Sequence, residues 1–334
     1  MQDLSGKTFF ITGASGYVGR HLVPTLLAAN AAVRCLSRTV RTRSQPLERC
    51  EAVLGDLDSA ETYRANLRGC DGIIHCAKSD HPDERTRARH DLEATQELLR
   101  ESIGAGVRRF VQLSSISVYI VPPDGTIDET SPRSQSTNPY VRSKIAIEQL
   151  VSDSAAKIET VVLQPANVYG HAGGWWSGAL LEMMKRGDIL LVNGGNGMAN
   201  MVHVDDVVRA ILLAVAASNV CGECILITDG QPVSWRVYFD RLQTLAGRAA
   251  NVRVSVAEAK RISRELNDRS LIARVTRWSK RKLFGRPILF PLADESIDKF
   301  ASKAVFRIDK ARSVLNYQPS IDLDSGMATV GRTG

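Results

Sequence analysis

Through residue 228 the chain alternates short apolar runs with longer stretches in which apolar residues recur every three or four positions. The short runs read as strands at Thr8–Thr12, Ala32–Ser37, Ala52–Leu57, Gly72–Ala77, Arg109–Ser115, Thr160–Leu163 and Cys224–Thr228. The periodic stretches read as helices at Val18–Ala29, Asp91–Ile103, Tyr140–Val151 and Asp205–Ala217. Runs such as Gly72-Ile-Ile-His-Cys-Ala77 are apolar at nearly every position, as a strand covered on both faces requires. Strand and helix in alternation predict an α/β fold, a doubly wound parallel sheet with a smaller C-terminal region that binds substrate. The expected division is residues 1–168 for the sheet domain, with 200–230 returning to it, and 169–199 plus 231–334 for the substrate region.

The first strand runs straight into Thr12-Gly13-Ala14-Ser15-Gly16-Tyr17-Val18-Gly19 and a helix. Glycines there permit conformations and close approaches that a Cβ blocks, so a diphosphate can rest on backbone N–H groups at the helix's positive end. Gly13, Ser15, Gly16, Tyr17, Val18 and Gly19 are therefore candidate contacts to a dinucleotide in a Rossmann domain. An acid that would hold an NAD ribose is missing after the second strand, where Ser37-Arg38 is followed by Arg41 and Arg43. Arg38 suits a 2′-phosphate, which favours NADP over NAD. Asp56 and Leu57 close the third strand near the expected adenine position. His75 reads as a hydrogen-bonded core histidine.

Composition changes this picture little. The 334 residues are 44% hydrophobic and 24% charged, ordinary for a globular protein. The longest apolar run, Ala210–Ala217, is far short of a membrane span, and the first residues are polar, so a cytoplasmic protein is expected. Six scattered cysteines fit free thiols, and Cys221-x-x-Cys224, lacking a second pair or nearby histidine, gives no metal site. The net charge of +7 equals the excess of ten basic over three acidic residues between Glu258 and Arg286. That confinement argues against nucleic acid as a partner. Ile262, Leu266, Ile272, Val275, Trp278, Leu283 and Phe284 recur there at helical spacing, which reads as a lid helix or, alternatively, as peripheral membrane contact over 260–286.

Chemistry concentrates after the fifth strand. Ser114 and Ser115 stand at its carboxyl end, where open α/β sheets bind ligands. A Pro- and Ser-rich loop then delivers Tyr140-x-x-x-Lys144, whose side chains share one helix face. A tyrosine hydroxyl is a poor proton carrier at neutral pH unless a neighbouring cation favours the phenolate, and Lys144 is spaced to be that cation. A serine holding the substrate oxygen would complete a general acid/base site beside a nicotinamide.

Together, the glycine turn, Ser114-Ser115-Ile-Ser-Val-Tyr119, Tyr140-x-x-x-Lys144, Gln164-Pro-Ala-Asn-Val-Tyr-Gly170 and Val202-His-Val-Asp-Asp-Val207 resemble the extended short-chain dehydrogenase/reductase family, across nearly the whole chain. The resemblance implies catalysis by Ser115, Tyr140 and Lys144. It places Ser114, Pro165, Asn167 and Val168 along the cofactor, with Asn167 also reaching substrate, and implies a homodimer through the helices starting near Asp91 and Tyr140. Ala77 and Lys78 stand where the family commonly has two alanines, so Lys78 is a departure near the cofactor. Asp91 stands where an Asn is common, which puts the family's usual proton-relay water in doubt. Ile116 and Ser117 occupy the positions of the dehydratases' acid pair, removing that chemistry. Trp175 and Trp176 either line an apolar pocket or anchor their own loop. The leading expectation is an NAD(P)-dependent enzyme interconverting a ketone and a secondary alcohol on a fairly apolar small molecule. A nucleotide-sugar 4-epimerase with tightly bound NAD and a non-catalytic dinucleotide-binding subunit are the alternatives.

Overall fold

The computed structural model describes residues 3–39, 50–171, 173–249, 251–267 and 294–331. Seven strands form one parallel sheet in the order β3-β2-β1-β4-β5-β7-β11. They are β1 (Thr8–Thr12), β2 (Ala32–Ser37), β3 (Cys50–Leu54), β4 (Gly72–His75), β5 (Arg109–Leu113), β7 (Glu159–Pro165) and β11 (Glu223–Ile227). The order in which strands are added switches sides between β1 and β4, so the carboxyl ends of those two strands flank the crevice where such sheets hold ligands.

Helices cover both faces. On one, α1 (Gly19–Ala28) and α5 (Val204–Ala216) close a core around Ile11, Leu22, Ile74, Val111, Val207 and Ile211. On the other, α2 (Glu84–Gly104) and α3 (Pro139–Asp153) cover Phe10, Ile73, Phe110 and Val162. The sequence set the start of α2 at Asp91. It begins instead at Glu84, because Asp83 caps it by accepting the Thr86 N–H at 2.8 Å. The third strand ends at Leu54, which leaves Asp56 and Leu57 in the turn that follows. Within the loop expected from Val121 to Pro139, β6 (Thr126–Ile127) pairs with β13 (Val305–Phe306).

A second core gathers residues from α4 (Leu180–Arg186), β9 (Ile189–Val192), α6 (Trp235–Ala246), α8 (Asp294–Ala301) and α10 (Leu323–Val330). Two further short pairs, β8 (Asn167–Tyr169) with β10 (Met201–His203) and β9 with β12 (Asn251–Val254), lie outside the main sheet. The helix α7 (Val256–Asn267) packs on α8. Beyond β13, α9 (Asp309–Leu315) returns to the first core through Ile308, Ala311, Leu315 and Tyr317, although the sequence placed that stretch in the substrate region.

The basic segment's Ile272, Val275, Trp278, Leu283 and Phe284, and with them most of 260–286, lie outside the described residues, as do Arg41 and Arg43. Among the described residues no helix is long and apolar enough to cross a membrane. All six cysteines are free thiols.

Candidate active site

The glycine turn is built as its composition demands. Gly13 has φ +75°, and a Cβ there would stand 2.6 Å from the Ala77 backbone nitrogen, so β1 and the end of β4 approach too closely for any other residue. A Cβ on Gly19 would overlap the Gly13 carbonyl, so the first turn of α1 packs directly on the loop. The first N–H groups of a helix lack partners within it. This cradle, open only to backbone, fits a dinucleotide diphosphate.

A cavity of about 820 Å³ opens over that turn, bordered by Gly13, Ser15, Gly16, Tyr17, Arg38, Asp56, Leu57, Ala77 and Lys78 among others. Its size suits a dinucleotide. Beneath it, His75 is buried, its Nδ1 2.5 Å from the Thr12 hydroxyl and Nε2 3.1 Å from that of Thr95. Burial, with the Lys144 charge adding to it, pushes this imidazole down to about 3. It is a neutral core histidine, as expected from its strand. Arg38 is already engaged, its Nη2 donating to Asp80 at 2.8 Å. Asp80 is a partner that the sequence reading missed, since nothing in a post-strand loop announces that it folds back across the cleft.

The second cavity, about 590 Å³, adjoins the first and shares Lys78 and Asp91 with it. Tyr140, Ser117, Val141 and Trp175 border it, with Glu84, Arg87, Glu295 and Lys299. Tyr140 is set by its helix cap: the Asn138 side chain accepts the Tyr140 N–H at 2.9 Å and the Val141 N–H at 3.3 Å, and Pro139 supplies the first helical residue. Lys144, one turn on, is buried and donates from Nζ to the Leu113 carbonyl at 3.2 Å, which ties α3 to the end of β5. Its ammonium lies 6.0 Å from the Tyr140 ring centre, and that of Lys78 lies closer, at 5.1 Å. Lys78, noticed in the sequence only as a departure, is therefore a second cation at the tyrosine.

Ser115 caps the short turn Ile116–Val118, its Oγ accepting the Ser117 N–H at 3.2 Å. Ser114 turns the other way. Its hydroxyl donates to Glu148 at 2.5 Å, in a buried group where Gln164 Nε2 reaches both Glu148 oxygens, at 2.9 and 3.0 Å, and Arg133 pairs with it at 3.0 Å. Burial raises the Glu148 carboxyl above its ordinary value against the opposing pull of those partners. The Ser114 side chain thus braces α3 against the sheet and is not presented to a cofactor. Asp91 accepts the Ser79 N–H at 2.6 Å and is likewise raised by burial.

The two tryptophans part company. Trp175 is exposed and borders the second cavity, whereas Trp176 packs 5.1 Å from Trp235 in the second core. Asn167 donates to the Ala199 carbonyl at 2.6 Å. Of the expected site residues, Val18, Gly19, Ser114, Ser115, Lys144, Pro165, Asn167, Val168 and Trp176 are not among the residues that border either cavity, so Tyr140 is the one member of the expected catalytic set that does. Lys299 and Glu295 on α8 also escaped the sequence reading, because nothing in the stretch 294–301 marks it as returning to the cleft. Burial lowers the Lys299 ammonium.

Residues 9–227 match the model of the NAD dependent epimerase/dehydratase family. The chain belongs to that family. It is 27% identical to 4-hydroxy-2-methyl-3-oxo-4-farnesyl-3,4-dihydroquinoline-1-oxide ketoreductase of Stigmatella aurantiaca, over 97% of this chain and 96% of the relative. Identity is also 27% to 3-beta-hydroxysteroid dehydrogenase of Mycolicibacterium neoaurum, over 95% and 88%. Among solved structures, UDP-glucuronic acid 4-epimerase from Bacillus cereus in complex with NAD superposes with a TM-score of 0.70, at 18% identity over 97% of this chain and 96% of that one. The dTDP-glucose 4,6-dehydratase of Streptomyces venezuelae gives 0.72, at 22% over 97% and 95%. Family membership makes this chain an NAD-dependent enzyme of the oxidoreductase type.

Proposed function

We propose that this enzyme interconverts a ketone and a secondary alcohol by hydride transfer, with Ser115, Tyr140 and Lys144 as its catalytic residues. The observation that carries the reading is the position of Tyr140, on the border of a cavity that joins the dinucleotide cleft through Lys78 and Asp91. Nicotinamide, when bound, supplies or accepts the hydride. Ser115 holds the substrate oxygen, and Tyr140 gives it a proton or takes one away. Negative charge developing on the phenol is met by two ammonium groups, from Lys78 and Lys144, both within about 6 Å of the ring. Lys144 can hold that position because its Nζ is fixed to the Leu113 carbonyl.

The substrate class follows from the lining. Trp175, Val141 and Ala88 offer an apolar surface, while Lys78, Arg87, Lys299, Glu84, Asp91 and Glu295 surround it with charge. A ketone on an apolar frame that also carries polar groups fits both. Two relatives that span nearly the whole chain are named as a ketoreductase and a hydroxysteroid dehydrogenase, which supports this class. The test is oxidation of NADPH or NADH by the purified protein with a panel of cyclic ketones, beside Tyr140→Phe. The variant should lose about 10² to 10⁴ in kcat while binding cofactor normally. Turnover unaffected by the substitution would sink the assignment. Nucleotide-sugar isomerisation without net cofactor consumption would instead establish the 4-epimerase.

A further inference from the structure

Three histidines and an aspartate gather in a cluster that has no part in the proposed proton and hydride transfer. His21 lies on α1, His171 on the loop that leaves β8, and Asp205 in the first turn of α5. His171 Nε2 stands 3.1 Å from Asp205 Oδ2, and His21 Nδ1 stands 3.8 Å from Asp205 Oδ1. The two imidazoles stack with centroids 4.7 Å apart and planes inclined by 25°, so both present nitrogen to the same carboxylate. One atom from each of the three residues falls within 4.8 Å of the others.

Their surroundings hold this arrangement. Gly170, at φ +109°, packs so closely on the His203 ring that no Cβ fits, which aims the next residue, His171, at the cluster. The His171 N–H donates to the Thr329 hydroxyl at 3.0 Å. His203 is fully buried and already used, its Nδ1 accepting the Asp205 N–H at 3.2 Å and its Nε2 pairing with Thr329 at 3.1 Å. It orients Asp205 and is not a ligand. His21 Nε2, by contrast, is buried with no hydrogen-bond partner. Because it is Nδ1 that faces Asp205, the His21 ring can turn within the cluster without giving up a hydrogen bond at Nε2.

We propose that His21, His171 and Asp205 bind one divalent transition-metal ion of the Zn²⁺ class. A tetrahedral ion with bonds of about 2.1 Å spaces its ligands about 3.4 Å apart, and the observed separations reach that value by small side-chain rotations. Two imidazoles and one carboxylate suit Zn²⁺, Co²⁺ or Ni²⁺, whereas Ca²⁺ and Mg²⁺ take all-oxygen shells. The partly exposed edges of His171 and Asp205 leave water for the remaining coordination and a route in from solvent. His203 and Thr329 accept the backbone N–H groups of Asp205 and His171 and so hold these two ligands in place. The ion is a clamp rather than a participant in hydride transfer. It ties α1 and α5, on the sheet domain, to the loop that continues into Trp175 at the substrate cavity.

The test uses untagged, chelator-dialysed full-length protein titrated with ZnCl₂ by calorimetry and with Co²⁺ by visible absorption. One equivalent should bind, and Zn²⁺ should raise the melting temperature. His171→Ala and Asp205→Asn should each weaken binding about tenfold or more, while keeping the metal-free circular dichroism spectrum. Asp205→Asn preserves side-chain shape at the helix start, so it stays informative if the alanine variant folds poorly. Cys221→Ser, at the exposed thiol of the Cys221-x-x-Cys224 pair, should leave the affinity unchanged. The proposal is overturned if no saturable binding occurs, if both site variants bind as the parent does, or if Cys221→Ser abolishes binding.

Discussion

Arg38 shows how one side chain can be singled out from the sequence while its partner stays hidden. Its place after β2 and its chemistry suit a ribose 2′-phosphate, yet its guanidinium is bridged to Asp80. Both groups are exposed, and an exposed ion pair contributes little and is screened by salt. If a 2′-phosphate binds here, its greater charge and bidentate geometry would displace the carboxylate rather than be excluded by it. The expected outcome is that Asp80→Ala tightens NADPH binding several-fold, Arg38→Ala weakens it about tenfold or more, and neither changes NADH binding much. Fluorescence titration of the reduced cofactors reads all three. Equal effects on NADPH and NADH would show that Arg38 does not meet the 2′ position and that the enzyme draws on NAD.

At the scale of elements, the clearest lesson comes from α3. Its existence and the shared face of Tyr140 and Lys144 were legible because the two sit four apart behind a Pro-rich loop, and local spacing is what sequence records best. The central strands were legible for a similar reason, since burial on both faces leaves a continuous apolar run. Helix α2 was foreshortened because its first two turns, Glu84 to His90, are polar and solvated, so only the cap at Asp83 marks the true start. Asp80, Glu148, Lys299 and the His21, His171 and Asp205 cluster were not legible, because each acquires its meaning from a residue dozens of positions away. The same α3 start offers a test of positioning. Asn138→Ala removes the acceptor for the Tyr140 and Val141 N–H groups, at a cost of about 1 kcal/mol in urea denaturation. It should also lower kcat, by loosening Tyr140, with little change in cofactor affinity, and Asn138→Asp should restore both. A stability loss with kcat intact would show that the cap supports the helix without governing the tyrosine.

At the scale of the whole molecule, one contribution to stability against pH comes from Asp229, just past β11 where the sheet's first core meets β10. It is buried, one oxygen accepts the Gln231 N–H at 2.9 Å, and the other has no partner. Burial, reinforced by the nearby Asp206 charge, pushes its carboxyl up to about 7. The folded protein therefore keeps a proton that the unfolded chain releases near pH 4. Between those values the native state binds more protons than the unfolded state, so stability falls as pH rises and the loss is complete above about 7. The full shift corresponds to at most about 4 kcal/mol, with any relaxation or water near the carboxylate reducing it. Asp229→Asn keeps the shape and removes the titration. Its stability relative to the parent should thus improve from pH 5 to pH 8 in chemical denaturation, while other titrating groups cancel in the comparison. A difference that stays constant across that range would mean that Asp229 ionises as freely in the folded protein as in the unfolded chain, and that its unpaired oxygen is met by water.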